Sequence, residues 1–251
     1  MTQRFTGKSI MVTGGGTGIG RAAALAFAAE GGSVLVLGPD EDPLAETVKL
    51  IEAAGGRGAW ALGDVTVQAD LERAVATAAE LHGGLDVAFN NAGMMVPGRI
   101  ADLEAHQWAA ALAVATGTWL SMKHEIGYMR GHGGGAIVNM ASIIGTRRAI
   151  AGTGAYGAAK AAICALTRTA AVENISEGIR INSVSPGPIG TPFSLLRGES
   201  EADQAVRMRT TLPIGRVGTV DEVAGTVLWL ASDAAGFAVG ADIVLDGGAT
   251  A

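Results

Sequence analysis

The chain has 251 residues, 49% of them hydrophobic, with a mean hydropathy of +0.33, a net charge of -6 and a pI near 5.2. It can bury one large α/β core, and an acidic balance without any basic run excludes the electrostatic footprint of a nucleic-acid or anionic-membrane binder. One cysteine, Cys164, excludes an internal disulfide, and 38 glycines with 7 prolines stay below a low-complexity composition, so the glycines belong to turns and close backbone approaches.

The segment 1–9 carries Arg4 and Lys8 but precedes an apolar run too short for a signal-peptide core, and no apolar run reaches transmembrane length. A cytoplasmic protein is expected. His82, His106, His124 and His132 are scattered and form no HExxH or CxxC arrangement, so no metal is expected and solvated surface positions are their default. Short runs rich in Val and Ile at 9–13, 34–37, 58–62, 87–90, 136–140, 180–184 and 243–245 alternate with Ala-rich segments of helical period at 19–30, 41–54, 68–81, 103–129, 155–176, 201–209 and 220–232. The alternation predicts repeated βα units, a parallel sheet covered on both faces, and a single α/β domain over 1–251. The longest irregular stretches, 141–154 and 186–200, leave strand carboxyl ends, where ligands bind in open parallel sheets. Cys164, among Ala and Ile on the helix over 155–176, reads as a small core residue.

The run Thr13-Gly14-Gly15-Gly16-Thr17-Gly18-Ile19-Gly20 follows the first strand and opens the first helix. Glycine permits the tight turn and a close backbone approach to a pyrophosphate, and the amides of the helix N-terminus favour negative charge. A bare turn is the alternative, but the strand-to-helix context favours nucleotide binding by Gly14, Thr17, Gly18 and Ile19. Asp40 stands twenty residues after Gly20, where an acidic group reaches ribose hydroxyls, unless it only caps the following helix. The loop offers no cation before Arg21 for a 2'-phosphate, which favours NAD, with NADP the alternative. Asp64-Val65 follows strand three, where the carboxylate can accept from an adenine amino group, and Asn91-Ala92-Gly93 stands at the end of strand four with small residues that admit a cofactor.

Tyr156 and Lys160 are four residues apart and share one helix face. A positive charge beside a phenol favours phenolate, so the pair can give and take a proton. Ser142, fourteen residues before Tyr156, follows the fifth strand.

Thr13-Gly-x-x-x-Gly-Ile-Gly20, Asn90-Asn91-Ala92-Gly93, Ser142, Tyr156-x-x-x-Lys160, the stretch Arg180 to Gly187 and Asp246-Gly-Gly248 stand in one order along the chain, which closely resembles the classical short-chain dehydrogenase/reductase family. The resemblance implies a three-layer, Rossmann-like doubly wound sheet of about seven parallel strands, a nicotinamide cofactor, and hydride transfer between it and an alcohol or carbonyl. It assigns Tyr156 as acid and base, Lys160 as the residue that depresses the phenol pKa and bonds the ribose, and Ser142 as the residue that stabilises the substrate oxygen. It further places Pro186, Gly187, Ile189 and Thr191 at the nicotinamide, with 193–209 as a mobile lid. Met94, Ile144, Phe193 and Leu196 are candidate substrate contacts, which suggests a largely apolar secondary alcohol or ketone, whereas Arg147 and Arg148 read as an anion contact or as solvated side chains. A homotetramer or homodimer is implied, packed through the two long helices and the last strand.

There is one departure. Family members carry an Asn seven residues after a Trp in the long helix before strand five, where it holds a water linking the lysine to solvent. Counted from Trp108, that position is Ala115, with Thr116 and Thr118 the nearest polar candidates for a rerouted relay. A protein that binds dinucleotide but turns over weakly, as a sensor or interaction subunit, is the alternative this substitution leaves open.

Overall fold

Alternating side chains along the first two strands divide cleanly between two cores. Ile10, Val12, Val34 and Val36 pack into one hydrophobic cluster, and Met11, Leu35 and Leu37 into another, as the two-residue period of a strand buried on both faces requires. A computed structural model describes residues 3–195 and 198–251 and contains all seven predicted strands: β1 (Ser9–Thr13), β2 (Ser33–Gly38), β3 (Arg57–Leu62), β4 (Val87–Asn90), β5 (Gly135–Met140), β6 (Ile179–Pro186) and β7 (Asp242–Leu245). They form one parallel sheet in the order β3-β2-β1-β4-β5-β6-β7.

The helices are α1 (Gly18–Ala29), α2 (Glu41–Ala53), α3 (Gln68–His82), α4 (Ala105–Met129), a single turn α5 (Ile143–Thr146), α6 (Gly154–Asn174), α7 (Glu201–Thr211) and α8 (Val220–Ala231). Side chains of α1, α2 and α8 fill the first cluster and those of α3, α4 and α6 the second. Each fully buried Leu, Ile, Val or Phe contributes about 1.5–3 kcal/mol, so these two layers dominate stability. This is the doubly wound single domain that the sequence predicts.

Boundaries differ for local reasons. The helix expected from 103 starts at Ala105, because Glu104 and Gln107 close a capping box that fixes the N-terminus. Strand β6 runs two residues past 184, since its register with β7 extends to Pro186 opposite Leu245. The stretch 141–154 holds the α5 turn, and Gly145 within it takes φ 110, with an added Cβ only 2.1 Å from the Gly157 carbonyl oxygen. No side chain fits there. Cys164 is buried in an apolar cluster with Val114, Ala115, Ala141, Ala159 and Ile163, as expected. His82 and His124 are half-buried rather than solvated, because each lies on the inner flank of its helix; burial, with Arg57 adding, holds His82 below the ordinary imidazole pKa. Among the described residues no helix is long and apolar enough to cross a membrane.

Candidate active site

The strand order reverses at β1 and β4, whose carboxyl ends therefore diverge and open a crevice. Thr13 and Asn90 lie side by side there, and the chain leaving each strand is tied to the other. Thr13 Oγ1 accepts from the Asn91 and Ala92 amides at 3.0 and 3.1 Å, and Asn91 Nδ2 donates to the carbonyls of Thr13 and Gly14 at 3.2 and 3.1 Å. Thr13 is a site residue that the sequence reading missed; its signal is a hydroxyl immediately before the glycine run. Asn91 braces the glycine loop with its side chain.

Gly14 and Gly18 take φ of 63 and 53, which only glycine adopts freely. An added Cβ on Gly20 would lie 2.1 Å from the Gly14 carbonyl oxygen, and one on Gly14 would lie 2.9 Å from Asn91 Nδ2. Helix α1 starts here with no side-chain cap on Thr17 and no acidic residue in its first turn, leaving the amides near Gly18 and Ile19 for an anion. The turn thus brings bare backbone amides to the helix N-terminus, an arrangement that can accept an anion such as a pyrophosphate. Asp40 occupies the N-cap position of α2 but makes no capping bond, so its exposed carboxylate is free for a ribose. With Pro39, Glu41, Asp42, Pro43 and Leu62 it lines a cleft of about 610 Å³. Arg21 is held away by bonds to Thr47 Oγ1 (3.0 Å) and the Pro43 carbonyl (3.2 Å). Asp64 Oδ1 accepts from the Thr66 amide (2.8 Å) and hydroxyl (2.7 Å), which fixes the carboxylate at the end of β3, while Val65 packs on Gly117 of α4.

Across the crevice, an added Cβ on Gly93 would stand 3.6 Å from Lys160 Nζ. Ser142, Tyr156 and Lys160 are 6%, 7% and 3% exposed, so all three converge in a nearly dry wall. Ser142 caps the α5 turn by accepting from the Ile144 amide at 3.1 Å, which orients Oγ and leaves its proton to donate. Lys160 Nζ donates to the Met140 carbonyl at 2.7 Å and lies 5.8 Å from the centre of the Tyr156 ring. Burial pulls the Lys160 pKa down to about 8, against a small opposing effect of Cys164. Burial raises the phenol of Tyr156, and its hydrogen bond with Ser142 opposes the rise. In the chain alone burial is the largest influence on the phenol and the Ser142 bond the one that opposes it, while the Lys160 ammonium is engaged with the Met140 carbonyl.

The chain matches the family model described as Enoyl-(Acyl carrier protein) reductase over residues 14–250. It is 38% identical over 253 residues to cis-4-hydroxycyclohexanecarboxylate dehydrogenase of Sinomonas cyclohexanicum, covering 100% of both chains. It is also 38% identical over 254 residues to cyclohexanol dehydrogenase of Acinetobacter sp. (strain SE19), covering 100% of this chain and 98% of that one. The crystal structure of levodione reductase superposes with a TM-score of 0.93 at 30% identity, covering 98% of this chain and 99% of that chain. This chain belongs to the classical short-chain dehydrogenase/reductase family.

As a short-chain dehydrogenase/reductase it is an oxidoreductase that uses a nicotinamide cofactor on alcohol or carbonyl groups. Within that setting the alanine departure takes a definite shape. Ala115 is buried in an apolar cluster with Val114, and Val114 Cγ1 is the α4 atom near the Gly93 position, 3.9 Å from its added Cβ. Thr116 and Thr118 spend their hydroxyl protons on the carbonyls of Leu112 and Val114 within α4. Helix α4 therefore presents a dry wall to Lys160.

Beyond β6, Gly187 packs on Asp246, where an added Cβ would be 2.9 Å from Cα, and its amide bonds the Leu245 carbonyl. The Ile189 carbonyl accepts from the Thr191 amide at 2.8 Å and from the Ser194 hydroxyl, which curls the chain back over the loop. Thr191 Cγ2 lies 3.6 Å from an added Cβ on Gly18, so the segment after β6 reaches the glycine turn. Phe193 brings its ring to 6.0 Å from that of Tyr156. Met94 and Phe193 are each 48% exposed and Ile144 is half-buried, whereas Leu196 lies outside the described residues. Arg147 and Arg148 line a separate surface cleft of about 690 Å³ with Arg99, Ile100 and Ile144.

Proposed function

We propose that the protein transfers hydride between NAD(H) and a largely apolar, cyclic secondary alcohol or ketone. The observation that carries this reading is the meeting of Gly93 with Lys160, which puts the glycine cradle and the Ser142–Tyr156 wall on one crevice. The bound nicotinamide supplies or accepts the hydride. Ser142 donates to the substrate oxygen and steadies the charge that develops there. Tyr156 gives that oxygen a proton in reduction and removes one in oxidation. Lys160, its Nζ held by the Met140 carbonyl, would hold the ribose of a bound dinucleotide with its remaining N–H groups and set a positive charge near the phenol that works against the effect of burial. The relatives named for cyclohexanol and hydroxycyclohexanecarboxylate support a six-membered ring substrate, as does the apolar Phe193 ring 6.0 Å from that of Tyr156. A panel of secondary alcohols checks this: kcat/KM highest for cyclohexanols supports it, and a preference for primary or straight-chain alcohols counts against it.

NAD is preferred because Asp40, Glu41 and Asp42 crowd the ribose cleft with negative charge and Arg21 is tied to α2. Pro39→Arg adds a cation there and is expected to raise the NADP/NAD ratio of kcat/KM about tenfold or more. An unchanged ratio contradicts the placement of Asp40. A homotetramer or homodimer is supported by apolar side chains left open on the long helices, with Trp108, Trp119 and Val172 at 42%, 47% and 76% exposure. Light scattering at the mass of two or four chains is expected, and a monomer refutes it.

A further inference from the structure

Under the catalytic wall lies a carboxyl that the chemistry above does not use. Glu125 on α4 is 0% exposed, in a layer with Asn90 (2%), Asn139 (0%) and Thr167 (1%). Asn90 Nδ2 donates to Glu125 Oε2 at 2.9 Å and to Asn139 Oδ1 at 3.0 Å, and Asn139 Nδ2 donates to Thr167 Oγ1 at 2.9 Å and to Met122 Sδ at 3.2 Å. The chain of bonds therefore crosses from α4 through β4 and β5 to α6. Each strand member immediately precedes active-site backbone: Asn90 leads into Asn91-Ala92-Gly93, and Asn139 into Met140, whose carbonyl holds Lys160, and on to Ser142.

Three buried polar atoms in this layer, Asn90 Oδ1, Ser121 Oγ and Glu125 Oε1, have no partner. Glu125 accepts from Asn90 on β4, with Ser121 one turn earlier on α4, His124 beside it in sequence, and Asn139, Met122 and Thr167 along the chain of bonds; no charged group shifts its titration. A carboxylate in such a place has one donor and no cation, whereas the acid keeps one oxygen as acceptor and adds a proton to share. Burial accordingly raises the Glu125 pKa to about 8, opposed only by the Asn90 bond.

We propose that Glu125 is a positioning residue: as a neutral carboxylic acid it fixes Asn90 and Asn139, and through them the strand ends that face the dinucleotide and carry Ser142. The link to the dinucleotide rests on the function proposed above; the retention of the proton does not. The sign follows from proton counts. Between about pH 4.5, where the unfolded carboxyl ionises, and about pH 8, the folded chain binds the extra proton, so this group lowers stability steadily as pH rises across that window.

Thermal melts of wild type and Glu125→Gln from pH 5 to 9 read this directly. The glutamine variant is expected to gain on wild type as pH rises, by about 5 °C or more at pH 8. Fluorescence titration with NADH reads the positioning: Glu125→Ala is expected to weaken binding about tenfold or more, raising KM for the dinucleotide more than it lowers kcat, and Glu125→Gln to restore binding at pH 7. From pH 7 to 9 the wild-type Kd is expected to rise at least threefold more than that of Glu125→Gln. Parallel melting curves and parallel Kd profiles for wild type and Glu125→Gln overturn the proposal, whether or not Glu125→Ala folds. So does wild-type NADH affinity in a folded Glu125→Ala. Loss of the dinucleotide reading looks different: wild type then fails to bind NADH while the melting difference persists.

Discussion

Tyr156→Phe is expected to lower kcat about a thousandfold while the Kd for NADH stays within a few-fold of wild type. The ring keeps its buried position and its contact with Phe193, so the cofactor wall is preserved. What disappears is the hydroxyl proposed to exchange a proton with the substrate oxygen, together with its bond to Ser142. Positioned acid-base catalysis is worth about 10²–10⁴ in rate, and a factor of 10³ is about 4 kcal/mol of transition-state free energy. Lys160 cannot stand in, because its ammonium is bound to the Met140 carbonyl. Stopped-flow absorbance at 340 nm gives the rate and fluorescence titration the affinity; a variant that keeps more than a tenth of the wild-type rate contradicts the role of Tyr156.

The second large effect is structural and concerns Gly20. Alanine in a helix is ordinarily favoured over glycine by about 1 kcal/mol. At Gly20 the sign reverses, because the new methyl carbon meets the Gly14 carbonyl oxygen at 2.1 Å and Asn91 Nδ2 at 2.6 Å. Backbone atoms of the cradle must shift, and overpacking of that kind costs about 1–3 kcal/mol. Gly20→Ala is therefore expected to melt about 2–12 °C lower, at about 2–4 °C per kcal/mol for a chain of this size, and to bind NADH about a hundredfold more weakly. Gly225→Ala on α8 is the control, since nothing lies within 4 Å of its added Cβ and its expected effect is a gain of about 0.5–1 kcal/mol. Equal melting shifts for the two variants would refute the close approach between α1 and the glycine turn.

Most of the architecture is legible along the chain because parallel strands buried on both faces read as unbroken apolar runs, such as Ile10-Met-Val12 and Val34-Leu-Val-Leu37. The glycine cradle is legible for a similar reason, as its backbone conformations admit one residue type. Contacts made by ordinary residues are not. Nothing in the identity of Met140 announces that its carbonyl holds Lys160, since any residue there presents the same oxygen. Thr13 at a strand end and Glu125, which follows Lys123 and His124 and so reads as one more residue of a polar helix face, leave only weak signals, and their roles emerge when β4, β5, α4 and α6 meet. The phenol pKa belongs to the same class: a lysine four residues away is visible in sequence, but the burial that raises the phenol is a property of the assembled fold.

Ser142, Tyr156 and Lys160 are proposed to face a bound nicotinamide while hydride passes between it and a ring carbon. The most direct measurement incubates the protein with NAD and cyclohexanol deuterated at the carbinol carbon, then analyses the cofactor by mass spectrometry. Deuterium on the nicotinamide ring with wild type, and its near absence with Tyr156→Phe over the same time, is the predicted result. Saturating NAD binding with no label transferred from this or any other deuterated secondary alcohol would contradict the account.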